Sequence, residues 1–202
     1  MTTATINLKG LVFLVADANP YFSRIIVGLL RSFGATAVTE VRNSFDAIQL
    51  LNSQKFDILL CDDRLPPHGG LQVTHAIRRK RDNENRTIPI LIMSGDTRES
   101  MVKIARDAGA NMVLVKPVSA SSLYDRLAWI AFTPRQFVDT PTYFGPDRRF
   151  KNDPYPGVGR RRTDRHAGTG GEAAHAAQTL QADTPNPGHG TGSENPALMD
   201  QS

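Results

Sequence analysis

The sequence predicts an α/β fold, a parallel five-stranded sheet covered by helices on both faces. Short runs rich in Val, Ile and Leu at 11–16, 36–41, 57–61, 89–93 and 112–115 have the length and composition of strands buried on both sides. Longer amphipathic stretches at 20–33, 44–54, 70–81, 97–108 and 119–131 follow them in turn. Strict alternation of strand and helix favours parallel pairing through right-handed crossovers.

The first run has no basic segment ahead of it and breaks at Asp17, so it reads as a strand and not as a signal peptide. In the helix that follows, Phe22, Ile25, Ile26, Leu29, Leu30 and Phe33 fall at helical spacing, leaving Arg24 and Arg31 for solvent. Gly34 and Gly109 stand just past two helix ends, where a left-handed backbone is commonly needed.

Composition bounds the rest. A chain of 202 residues, 40% hydrophobic and 22% charged, fits one packed core. Its one cysteine, Cys61, excludes an internal disulfide framework and any multi-cysteine zinc site, and points to a reducing, cytoplasmic setting. No apolar stretch reaches the roughly 18 residues needed to span a bilayer. The net charge of +4 is uneven: residues 133–166 carry 8 Lys and Arg against 4 acids, whereas 167–202 carry 4 acids and no Lys or Arg. That last stretch is rich in Gly, Ala, Thr, Pro and Asn and is expected to be disordered.

In a sheet of this kind ligands bind beyond the carboxyl ends of the strands, where strand order reverses. The residues there are Asp17, then Asp62 and Asp63, then Ser94 and Asp96, then Lys116 followed by Pro117. Acids, a hydroxyl and a lysine on four strand ends suit a divalent oxygen-binding cation together with a phosphoryl group. A carboxylate in such a site can act as nucleophile.

Over residues 8–132 the sequence resembles the receiver domain of bacterial two-component response regulators. The resemblance rests on VADANP (15–20), FDILLCDDRLPPHGGL (56–71), ILIMSGD (90–96) and AGANMVLVKP (108–117), in order and at matching intervals. It implies a flavodoxin-like (βα)5 domain with strand order 2-1-3-4-5 and a phosphorelay role, without classical enzymatic activity. Asp62, four residues before Pro66, matches the aspartate that accepts phosphate from a histidine kinase or phosphotransfer protein. Asp63 is its neighbour and not the acceptor. Ser94 matches the switch hydroxyl, and Lys116 matches the lysine that contacts the phosphoryl group. Mg2+ would be held by Asp17, Asp62 and the backbone carbonyl of Arg64, and the peptide before Pro117 is often cis in such domains.

Three positions depart from the pattern. Ala18 stands where a second acid usually binds Mg2+ directly, so metal binding is expected to be weak. Val113 replaces the aromatic that commonly moves with the switch hydroxyl, and Gly69 replaces a frequent acid.

Plainer roles compete for several residues. Asp17 also suits a cap for the helix near Pro20. Arg64 and Asp96 could pair across the pocket mouth, Cys61 reads as an apolar packer, and His68 and His75 lack metal-ligand spacing.

The arginine-rich segment 133–166 contains a repeat. Tyr143, Gly145, Arg148 and Arg149 recur 12 residues later as Tyr155, Gly157, Arg160 and Arg161. Its Pro and Gly content argues against helix. It reads as a short interaction element that stacks on nucleic acid, grips an acidic protein surface or lies back on the receiver. With no recognised nucleic-acid fold, a downstream protein is the expected partner. Tails with Tyr-x-Gly-x-x-Arg-Arg follow some alphaproteobacterial receivers. The whole reads as a stand-alone response regulator that signals by altered protein binding, or else as a phosphate-independent interaction module.

Overall fold

The computed structural model describes residues 6–148. Five parallel strands, β1 (Val12–Ala16), β2 (Ala37–Val41), β3 (Ile58–Asp62), β4 (Ile90–Ser94) and β5 (Met112–Val115), form one sheet in the order β2-β1-β3-β4-β5. Helices α1 (Pro20–Ser32), α2 (Ser44–Ser53), α3 (Gly70–Arg79), α4 (Glu99–Ala108) and α5 (Ala120–Phe132) alternate with them, and a 3-10 turn (Glu84–Thr87) precedes β4. Strand order reverses between β1 and β3, which opens a crevice at their carboxyl ends.

Period-two alternation along the strands divides the core. Phe13, Val15, Ile58, Leu60, Leu91, Met93 and Leu114 pack with Ile26, Val27 and Leu30 of α1 and Leu123 and Leu127 of α5. Leu14, Ala16, Leu59, Cys61, Ile90 and Ile92 pack on the opposite side with Ala47, Leu51, Val73, Ile77, Met101 and Ala105 of α2, α3 and α4. Only β1, β3 and β4 are buried throughout or nearly so. The edge strands β2 and β5 are half-covered, because each has one neighbour instead of two.

The first helix buries a face rotated from the expected one. Ile25 is 54% exposed, while Ser23 is buried and its hydroxyl donates to the Glu40 carboxylate on β2. A hydrogen bond to the neighbouring strand holds the small polar residue inward and turns Ile25 out. Gly34 and Gly109 both have φ of +98°, as expected for left-handed caps.

Tyr143 and Gly145 of the first copy of the repeat lie back on the receiver in a hairpin. Strands β6 (Phe137–Asp139) and β7 (Phe144–Pro146) pair antiparallel, closed by reciprocal backbone bonds between Thr140 and Tyr143. The interaction element is therefore folded over part of its length. Its second copy, and the stretch 167–202 expected to be disordered, lie outside the described residues.

The hairpin covers a fully buried arginine. Arg78 of α3 donates to the carbonyls of Gly109 (3.0 Å), Arg86 (2.5 Å) and Ile88 (2.8 Å) and to the Asn111 side chain (3.1 Å). Phe137 stacks over its guanidinium at 5.0 Å, and Phe144 stacks on Arg86 at 3.4 Å. Burial pulls the Arg78 pKa down to about 9, against an upward pull from Tyr143. The glycine of the repeat has a steric cause here: a Cβ on Gly145 would sit 2.8 Å from the Gly109 Cα. Tyr143 closes over this glycine by donating to the Pro146 carbonyl (2.8 Å), and Arg148 lies on the Tyr143 ring (3.8 Å) and pairs with Asp107 (3.2 Å).

Replacing Arg78 by methionine would leave two buried carbonyls, of Gly109 and Ile88, and the half-buried one of Arg86 without their donor. Arg78→Met should lower unfolding free energy by about 2–4 kcal/mol in a urea titration followed by circular dichroism.

Candidate functional site

Alternation also sorts the residues at the carboxyl ends. Asp17, Asp62 and Lys116 continue the register of Val15, Leu60 and Leu114, on the α1 and α5 side. Lys116 Nζ lies 2.7 Å from Asp17 Oδ2 and 2.6 Å from Asp62 Oδ1, so strands β1, β3 and β5 meet at one ammonium. The Phe22 ring of α1 lies under that ammonium at 4.2 Å. Phe22 was legible in the sequence only as a core-facing helix residue.

Asp17 is 1% exposed and does not cap the helix. Its Oδ1 accepts from the Asn19 backbone N–H (2.8 Å), and the Asn19 side chain caps α1 by accepting from Tyr21 and Phe22. Asp62 is close-packed from behind: a Cβ on Gly70, the first residue of α3, would stand 2.3 Å from the Asp62 carbonyl oxygen. Only glycine lets that helix start so near the strand end. The Lys116–Pro117 peptide is cis, as is Pro66–Pro67 in the loop after β3.

Two carboxylates, Asp17 and Asp62, flank one ammonium, and a third, Asp63, stands next along the strand. Burial pushes the Asp62 carboxyl up; Lys116 pulls it down, and Asp17 and Asp63 push it up further, with a net upward shift. Burial alone would lower the Lys116 ammonium, but hydrogen bonds and charge from Asp17 and Asp62 outweigh it and leave it raised.

Ser94 and Asp63 fall on the other face, in register with Ile92 and Cys61. Ser94 is fully buried, and its hydroxyl donates to Asp63 Oδ2 at 2.7 Å while accepting the Asp96 backbone N–H at 3.0 Å. The structure thus joins Asp17, Asp62 and Lys116 directly, and holds Ser94 through Asp63. The strand register, Asp62 opposite Met93, signals this pairing in advance, because the next residues along are Asp63 and Ser94.

The Arg64 and Asp96 pair is not the one formed. Asp96 is held by Arg98, two residues on, through Nε contacts of 2.9 and 3.0 Å and an Nη2 contact of 2.6 Å. Those hydrogen bonds bring its carboxyl down to about 2. Local sequence proximity wins over a reach across the mouth, and Arg64 is left exposed. Cys61 is buried, and burial followed by the Asp62 charge pushes its thiol far up, which keeps it unreactive. His68 packs edge-on against Phe45 at 5.0 Å, and His75 lies on α3 with its imidazole lowered by partial burial.

Asp17 and Asp62 offer hard oxygen donors in a site with more carboxylates than cations, which fits a divalent cation. Among the described residues, no three His, Cys, Asp or Glu side chains are grouped to hold a metal, so a backbone carbonyl and water must complete any such set.

A profile of the response regulator receiver domain matches residues 13–128, more than half of the chain. The chain belongs to the response regulator receiver family. The receiver is 30% identical over 114 residues to the chemotaxis protein CheY of Pseudomonas aeruginosa, covering 56% of this chain and 90% of that protein. It is 28% identical over 119 residues to CheY-3 of Vibrio cholerae, covering 59% and 90%. Among solved structures, the receiver domain of a Pseudomonas aeruginosa sensor histidine kinase, with a magnesium ion coordinated in its active-site cleft, superposes with a TM-score of 0.52 at 29% identity, covering 58% of this chain and 93% of that one. A putative response regulator from Chloroflexus aurantiacus gives 0.55 at 26% identity, covering 59% and 95%. Receivers of this family are phosphoaccepting signalling modules that work with histidine kinases or phosphotransfer proteins. No helix among the described residues is long and apolar enough to cross a membrane.

Proposed function

We propose that this receiver accepts a phosphoryl group on Asp62 from a phosphohistidine and signals by a change in protein binding. The observation that carries the reading is the Lys116 ammonium set between Asp17 and Asp62, at 2.7 and 2.6 Å, where strand order reverses. A carboxylate oxygen of Asp62 attacks phosphorus as the P–N bond to the donor histidine breaks. Lys116, already beside the nucleophile, offers donors to the incoming phosphoryl oxygens. Asp17, Asp62 and the Arg64 carbonyl would hold Mg2+, which when bound offsets negative charge on carboxylates and phosphoryl oxygens.

Retention of Asp62, Ser94 and Lys116 together speaks against a phosphate-independent module. In intact-mass measurements with a small phosphodonor and Mg2+, the chain should gain one phosphoryl group. Asp62→Asn should abolish the gain and Asp63→Asn should keep it; the reverse pattern would reject Asp62 as the acceptor.

Ala18 removes one carboxylate from the acidic pair, and Asp63 is turned to Ser94, away from filling that place. Ala18→Asp should therefore tighten Mg2+ binding by roughly tenfold, a gain of one hard charged ligand, read by calorimetric titration.

The tail supplies partner binding in this reading. Its first copy is committed to the receiver's own surface, so Tyr155, Gly157 and Arg160 present the same chemistry to a downstream protein. Truncation after Arg165 should keep capture of that protein in co-purification, whereas truncation after Arg148, which leaves the hairpin in place, should lose it. Equal capture by the two forms would assign binding to the receiver together with its hairpin and reject the second copy as the binding element.

A further inference from the structure

We propose that Asp63 is a positioning residue that holds the Ser94 hydroxyl away from Asp62 and must release it when a phosphoryl group arrives. This rests on the reading of Asp62 as phosphoacceptor. A serine hydroxyl has one proton to donate. In this structure Ser94 gives it to Asp63 Oδ2 at 2.7 Å, and its oxygen is fixed from the other side by the Asp96 N–H at 3.0 Å. A phosphoryl group on Asp62 needs donors for its oxygens, and the resemblance gives Ser94 that role. Both acceptors cannot be served at once.

The backbone around Asp63 confines the exchange to side chains. Its N–H donates to the Met93 carbonyl (2.9 Å) and its carbonyl accepts from Gly70 (3.1 Å), while the Lys116 N–H binds the Ser94 carbonyl (2.8 Å). Asp63 is only half-buried, so its carboxylate has a path to solvent once the hydroxyl turns. It has a reason to take that path, since a carboxylate next to a phosphoryl group is repelled. The unphosphorylated form is favoured by the Asp63–Ser94 bond, and the phosphorylated form is favoured by its loss. Asp63 thereby sets how readily the receiver takes up and keeps its phosphoryl group, without touching phosphorus.

The test uses the full chain with Mg2+ and beryllofluoride, a stable phosphoryl mimic, titrated by calorimetry. Asp63→Ala should bind the mimic roughly ten- to a hundredfold more tightly than wild type, the size expected for one hydrogen bond to a charged group and a like charge removed. Asp63→Asn, which keeps an acceptor oxygen without the charge, should fall between. In a Ser94→Ala background the gain from Asp63→Ala should shrink by at least roughly threefold, because only the charge effect remains. Equal gains in both backgrounds, or no gain, would overturn the proposal while leaving Asp62 as acceptor. Absence of mimic binding in wild type, indistinguishable from Asp62→Asn, would instead remove the acceptor reading and this proposal with it. Unchanged thermal melting of Asp63→Ala guards against a folding defect, and Asp63→Asn carries the same comparison should the alanine variant fail to fold.

Discussion

A single ammonium between two carboxylates organises the crevice at the carboxyl ends of the strands. Asp62 ends β3, and Asp17 and Lys116 directly follow β1 and β5; the three strands are far apart in sequence, and Lys116 draws their ends to one point. The contact exists only because the sheet order places β1 and β3 side by side and because all three residues share the same face by alternation. Phe22 adds a ring against the same ammonium from α1. Sheet topology, strand register and helix packing are thus read out in two distances.

At the opposite end of the sheet a second cation has a similar organising role with no carboxylate partner. Arg78 is satisfied by three main-chain carbonyls and an amide, which suits a guanidinium because its planar donors can be divided among several neutral acceptors. Such a group needs a cover that excludes water without competing for its donors, and the Phe137 ring meets both conditions. The hairpin is accordingly part of the folded receiver and not an appendage, although it follows the last helix. Its tyrosine, glycine and arginine act together: the glycine permits contact with Gly109, the tyrosine closes over it, and Arg148 ties both to Asp107 of α4.

Much of this was legible in the sequence where the signal was periodic or chemical. The five strands and five helices lie within a few residues of the expected positions, and Gly34 and Gly109 adopt the backbone anticipated for them. What escaped depends on competition between partners that periodicity does not encode. Ile25 is exposed because Ser23 finds Glu40, and Asp96 takes Arg98 in place of Arg64 because two residues of chain cost less ordering than a reach across the mouth. The hairpin was hidden because its stabilising contacts lie with Arg78 and Arg86, more than fifty residues earlier.

The split of the site into two faces has a consequence for how its parts communicate. Asp62 and Lys116 belong to the face packed on α1 and α5, whereas Ser94 and Asp63 belong to the face packed on α3 and α4. A ligand on Asp62 stands beyond the strand ends, the one place from which both faces can be touched. Lys116 is in reach before anything arrives, so the first face is prepared in advance. Ser94 is held back by an acid on its own face, and its register partner supplies that acid because consecutive residues on β3 must point to opposite sides. Two adjacent aspartates therefore cannot serve the same partner, since the alternation that aims Asp62 at Lys116 also aims Asp63 at Ser94.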